Sequence, residues 1–107
     1  MVRGEVVRLT PPRRVRGHEQ QGGRPGVVIQ ADELLDLSTV LVAPTSRSAT
    51  AATFRPTIDL AGTETRVLTD QLRVVDVGAV KDSMGHLSHG EMAALDDALA
   101  LVLGLPG

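Results

Sequence analysis

The 107-residue chain has no cysteine, tryptophan or tyrosine, and its single aromatic residue is Phe54. Without cysteine there is no disulfide framework and no thiolate zinc site. With one aromatic the core has to be aliphatic, and a single-strand-binding surface of stacked rings is disfavoured. No apolar run approaches the roughly 20 residues that span a bilayer. No signal peptide precedes the first strand, so a soluble cytoplasmic protein without a membrane partner is expected. Internal repeats, low-complexity tracts and linkers are also missing, which leaves one domain over residues 1–107, near the lower end of what a single core supports. The three histidines, His18, His86 and His89, show no ligand spacing, so neither a metal nor another cofactor is expected. His86 and His89 straddle a helix start and read as surface or capping residues.

Charge is scarce but uneven. The net formal charge is −2, which taken whole argues against a nucleic-acid partner. Residues 1–24, however, hold Arg3, Arg8, Arg13, Arg14, Arg16 and Arg24 against Glu5 and Glu19, an excess of +4, while residues 25–107 carry −6. Phosphate contact would therefore come mainly from the N-terminal strand and the loop after it.

What is present is a succession of short apolar runs. Val2–Leu9 reads as a strand, followed by a Pro-, Arg- and Gly-rich loop over 10–23, long enough for a small domain to suggest function. Gly26–Ala31 is apolar nearly throughout, as in a strand buried on both faces, and Gly26 at its head suggests a bulge or a close backbone approach. Residues 32–36 form a short turn or helix, and Ser38–Ala43 is a strand stopped by Pro44. Thr45–Thr53 lacks periodicity and reads as a loop. Phe54–Leu60 and Thr65–Val75 are strands, Asp76–Asp82 a helical turn, and Ser83–Leu87 a short strand. Ser88-His89-Gly90-Glu91 matches the S-x-x-E capping box. The helix after it places Met92, Leu95, Leu99, Val102 and Leu103 on one stripe, and Gly104 stops it. These elements give a mainly β (α+β) chain, a small, strongly bent sheet or barrel with a C-terminal amphipathic helix.

Residues 18–32, HEQQGGRPGVVIQAD, are the most informative segment. Pro25 confines Arg24 to extended conformations, so a guanidinium stands at the mouth of a rigid strand. Its planar fork and permanent charge suit a phosphate. From this segment alone, a surface arginine closing an ordinary hairpin is the simpler reading.

This segment joins four other blocks: Arg3-Gly4-Glu5-Val6, Val42-Ala43-Pro44-Thr45-Ser46, Asp70-Gln71-Leu72-Arg73-Val74-Val75-Asp76, and Gly85-His86-Leu87-Ser88 with its helix and Leu103-Gly104-Leu105. In that order and spacing the chain resembles the MazF/PemK toxin family over nearly its whole length. The resemblance implies an SH3-like barrel of the CcdB/PemK type. It also implies a homodimer that cuts single-stranded RNA without a metal and is silenced by a cognate MazE-like antitoxin. Such cleavage uses the RNA's own 2′-OH and needs a group that stabilises charge on the phosphorus, for which Arg24 is suited.

A hydroxyl would complete the pair. Ungapped alignment with the family's pattern gives Ser46 and a one-residue gap gives Thr45; the ungapped choice is favoured because a gap disturbs strand register. Glu19 matches a carboxylate in the family's loop, able to orient Arg24 or accept a proton. Gln20, Gln30 and Gln71 carry paired donors and acceptors for base edges, and Arg73 could meet phosphate. Val7, Arg8 and Gly26 depart from the family's usual residues, which bears on sequence preference and stability. Two other readings share the fold: a CcdB-like toxin that binds gyrase without catalysis, and a degenerate relative that binds antitoxin only. The helix here lacks the tryptophan and Gly-Ile ending associated with gyrase poisons.

Overall fold

The computed structural model describes residues 1–10 and 23–106. They form seven strands and one helix: β1 (Glu5–Leu9), β2 (Arg24–Val28), β3 (Thr39–Ser46), β4 (Thr57–Leu60), β5 (Thr63–Val67), β6 (Arg73–Asp76), β7 (Val80–His86) and α1 (His89–Leu103). Every strand pairing is antiparallel, in the order β4-β5-β3-β2-β1-β7, with β6 added to β3. The expected class, mainly β with a C-terminal helix, is the one observed.

The apolar runs in β2 and β3 are continuous because both faces of the sheet's centre are covered. Val6, Val27, Ile29, Ala43, Ile58 and Val67 pack on one face with Leu95 and Leu99 of α1. Val7, Leu9, Val28, Val40 and Val42 fill a second cluster on the other face, with Leu35, Val75 and Val80 against it. Gly26 proves to be a close approach and not a bulge: a side chain there would run into Leu9.

Several boundaries differ from the sequence expectation. β1 begins at Glu5 instead of Val2, β4 at Thr57 instead of Phe54, and β7 at Val80 instead of Ser83. Pro44 does not stop β3, which runs on through Thr45 and Ser46. The Pro44 carbonyl accepts from Leu68 N at 2.9 Å, so its ring nitrogen faces the same edge. That edge changes partner there, from β6 (Val42 opposite Arg73) to β5 (Thr45 opposite Val67). No ladder donor is needed at the hand-over, and proline is tolerated.

The same hand-over breaks the expected 65–75 strand in two. The chain leaves β3 at 45–46, crosses a 3-10 turn at Thr69–Gln71, and rejoins it at 39–42 as β6. Thr69 is fully buried in that turn and its hydroxyl donates to the Phe54 carbonyl.

α1 carries the expected capping box. Ser88 Oγ accepts from Glu91 N at 3.1 Å, while Glu91 Oε1 accepts from Ser88 N at 2.8 Å. Gly104 closes the helix in the left-handed region at φ 69°. The buried stripe is Leu95, Ala98 and Leu99 with Met92 beside it, whereas Leu103 is 53% exposed. Among the described residues no helix is long and apolar enough to cross a membrane.

Candidate functional site

The site is built where β2 begins and β3 ends. Gly23, at φ 75°, delivers the chain into β2, and a side chain there would collide with the Leu9 carbonyl. Only glycine meets both demands. Arg24 follows directly, exposed and already in the strand. β2 and β3 are paired with Val28 opposite Val42 and Gly26 opposite Pro44. Side chains alternate along both strands, so Arg24 and Ser46 fall on the face that Val28 and Val42 share. Thr45 points the other way, where it is 8% exposed and its hydroxyl donates to the Pro25 carbonyl at 2.9 Å. Ser46 Oγ accepts from Ser48 N at 3.2 Å, which leaves the serine proton to be donated.

Arg24, Thr45 and Ser46 all line one cavity of about 420 Å³. It includes Arg47 and, from β5, Thr63 and Thr65, and its apolar lining residues are Pro25, Leu60, Ala61 and Met84. Its lining thus combines two arginines and several hydroxyl residues with aliphatic and thioether ones, and among the described residues no carboxylate or imidazole residue lines it. Such a cavity offers permanent positive charge and hydroxyl donors to an anion, and an apolar surface to whatever the anion carries. Among the described residues no group of three or more His, Asp or Glu is close enough to hold a metal ion.

The other anticipated residues are placed elsewhere. Glu19 and Gln20 lie outside the described residues. Gln30 is engaged with backbone: its Nε2 donates to the Leu34 and Thr39 carbonyls at 2.7 and 3.4 Å, and its Oε1 accepts from Leu41 N at 2.9 Å. Gln71 is exposed on the 3-10 turn, and Arg73 is exposed on β6 opposite Val42. None of these three lines the cavity.

The N-terminal arginine excess is also partly committed. Arg3 donates to Asp96 and to the Ile29 carbonyl, both at 2.8 Å. Arg8 pairs with Asp82 of β7 and holds that carboxyl below the usual range. Among the described residues the positive charge at the cavity comes from Arg24 and Arg47. Arg47 and Met84 were not anticipated. Arg47 directly follows the hydroxyl pair, a signal that was available; Met84 arrives from a distant strand and had none.

Comparison with known proteins decides the family. Residues 2–103 match the model of the PemK-like, MazF-like toxins of type II toxin–antitoxin systems. The chain belongs to that family. A candidate toxin of Mycobacterium tuberculosis is 42% identical over 98% of this chain and 99% of its own length. Among solved structures, the M. tuberculosis toxin MazF-mt6 superposes with a TM-score of 0.79 at 16% identity, covering 96% of this chain and 99% of that one. A mycobacterial endoribonuclease in complex with its cognate antitoxin gives 0.80 at 19% identity, covering 100% and 98%. At such identities the structural likeness speaks for the fold of this MazF-like toxin, and the chemistry has to be argued from its own residues.

Proposed function

We propose that this toxin is a sequence-selective, metal-independent endoribonuclease of single-stranded RNA. The observation that carries the reading is the meeting of Arg24, Ser46, Thr45 and Arg47 in one cavity. The 2′-oxygen of the RNA attacks the adjacent phosphorus and the bond to the 5′-oxygen breaks. The products are a 2′,3′-cyclic phosphate and a 5′-hydroxyl, with one proton leaving the 2′-OH and one arriving at the 5′-oxygen. Arg24 is aimed at the charge that builds on the pentacoordinate phosphorus, in a position preset by Gly23 and Pro25. Ser46 shares its face and donates its hydroxyl proton to a phosphate oxygen. Thr45, whose proton is already given to Pro25, holds the ends of β2 and β3 together. Glu19 is the carboxylate assigned to accept the 2′ proton. Gln20 is assigned to base contacts; Gln30, Gln71 and Arg73 lie away from the cavity and are assigned no contact with the reacting phosphate.

The same reading includes a homodimer, a cytoplasmic setting and a cognate MazE-like antitoxin whose acidic, extended tail occupies the RNA groove. The test is incubation of the purified protein with a long structureless RNA in EDTA, beside Arg24→Ala, with mapping of product ends. Cuts at a short recurring sequence with 5′-hydroxyl ends, lost in the variant, are expected. Intact RNA, or an equally active and folded Arg24→Ala, overturns the proposal, and inhibition of gyrase supercoiling would then identify a binding toxin.

A further inference from the structure

The segment that leaves the cavity, residues 47–56, has no regular hydrogen-bond ladder, and its sequence RSATAATFRP is made of short side chains apart from Arg47, Phe54 and Arg55. Its course is nevertheless determined, and Arg55 takes part in most of the contacts that determine it. Arg55 Nε and Nη2 chelate Asp70 at 3.1 and 2.8 Å. Its Nη1 reaches back to the Thr50 carbonyl at 3.1 Å, and its guanidinium lies 5.6 Å from the centre of the Phe54 ring. Its own carbonyl accepts from Arg66 Nη1 at 3.0 Å, and Arg66 is the residue of β5 directly opposite Ser46. Beside it the Phe54 carbonyl is held by buried Thr69, from the same 3-10 turn as Asp70.

We infer that Arg55 is a positioning residue for the candidate active site, holding the 47–56 loop so that Ser46 and Arg47 stay in the lining of the cavity with Arg24. The inference rests on the endoribonuclease reading for its kinetic consequence, but not for its structural one. This ion pair is partly buried, its side chains 19% and 28% exposed, so it adds some stability, and its geometry adds a constraint on the loop. One planar fork spans two carboxylate oxygens and a loop carbonyl, which is a geometric constraint that a lysine cannot reproduce. The chain Ser46–Arg66–Arg55–Asp70 runs without a break from the cavity to the 3-10 turn.

The experiment compares the full-length protein with Arg55→Ala, Arg55→Lys and Asp70→Asn, each below its melting temperature, by two readouts. Steady-state RNA cleavage is expected to lose up to about 100-fold in kcat in Arg55→Ala, as misplacement of reacting groups does. KM should move far less, because Arg24 remains. Arg55→Lys should recover stability without recovering kcat, and Asp70→Asn should fall between Arg55→Ala and the native protein. Limited trypsin digestion is independent of catalysis: cleavage after Arg47 should accelerate in Arg55→Ala and Asp70→Asn, since proteolysis follows the population of the opened loop. Unchanged kcat together with unchanged cleavage at Arg47 overturns the inference, as does full recovery of kcat by lysine. If the native protein leaves RNA intact, the endoribonuclease reading fails by itself, and the rate of cleavage at Arg47 alone decides whether Arg55 holds the loop.

Discussion

The chain contains two Arg-Pro dipeptides, and they have opposite fates. At Arg24-Pro25 the arginine is exposed at the head of a strand and faces a cavity, and none of the hydrogen bonds found among the described residues involves its side chain. At Arg55-Pro56 the arginine is chelated by Asp70, bonded to Thr50 and laid over Phe54, with its side chain only 19% exposed. Both prolines restrict the preceding residue to extended backbone, so the local chemistry is the same. What differs is what the fold brings near among the described residues: a cavity shared with Ser46 for Arg24, a carboxylate and a carbonyl for Arg55. An arginine that lines a cavity is placed to meet a ligand; one whose donors are spent on carboxylate and carbonyl is part of the scaffold.

Removing each arginine should separate these roles. The largest effect is expected for Arg24→Ala, with a loss of about 10²–10³-fold in RNA cleavage and a thermal midpoint almost unmoved. Comparable losses of activity and stability would break the distinction. Next is the hydroxyl pair. Ser46→Ala should cost about 10²-fold in kcat. Thr45→Val should retain more activity but lose about 1 kcal/mol of stability, because it leaves the Pro25 carbonyl without its donor. The reverse order would assign the reacting hydroxyl to Thr45.

A smaller effect is a pH dependence confined to the second dipeptide. The Arg55 guanidinium holds the Asp70 carboxyl below the usual range. A carboxyl lowered in the folded state contributes its stability in full above its unfolded pKa. The contribution is lost as pH falls through the lower, folded value. Comparing denaturation midpoints at pH 7 and pH 3, Asp70→Asn should lose less on acidification than the native protein, while Arg24→Ala should lose as much. Smallest for function is Ser88→Ala, which removes the cap of α1. It should cost about 1 kcal/mol of stability and leave cleavage unchanged, as a reference for purely structural damage.

The parts that were legible in the sequence are those governed by near neighbours. The capping box needs only Ser88 and Glu91, three residues apart, and Gly104 stops the helix by its own conformation. The double-sided burial of β2 showed in the apolar run that begins at Gly26. The hand-over at Pro44 was not legible, because whether proline ends a strand depends on which neighbour faces its nitrogen. The break at Thr69–Gln71 was hidden for the same reason: residues 65–75 are strand-like throughout, and only the pairing of β5 and β6 to different parts of β3 divides them. Gln30 looked available for a base edge, but the carbonyls that occupy it belong to residues 34 and 39. At the site, Arg24 and the hydroxyls could be read from contiguous blocks, whereas Arg55–Asp70 joins residues fifteen apart and Met84 comes from the far side of β1.

Gly23 separates two evolutionary tasks. Because its backbone angle and the nearby Leu9 carbonyl fix how the chain enters β2, Arg24 is oriented from the strand side, whatever precedes it. Residues 11–22 can then be exchanged for segments of other length and composition without re-aiming the guanidinium. On the proposed mechanism Glu19 is the one residue of that segment that has to be kept, while its neighbours are open to change without disturbing Arg24 and Ser46.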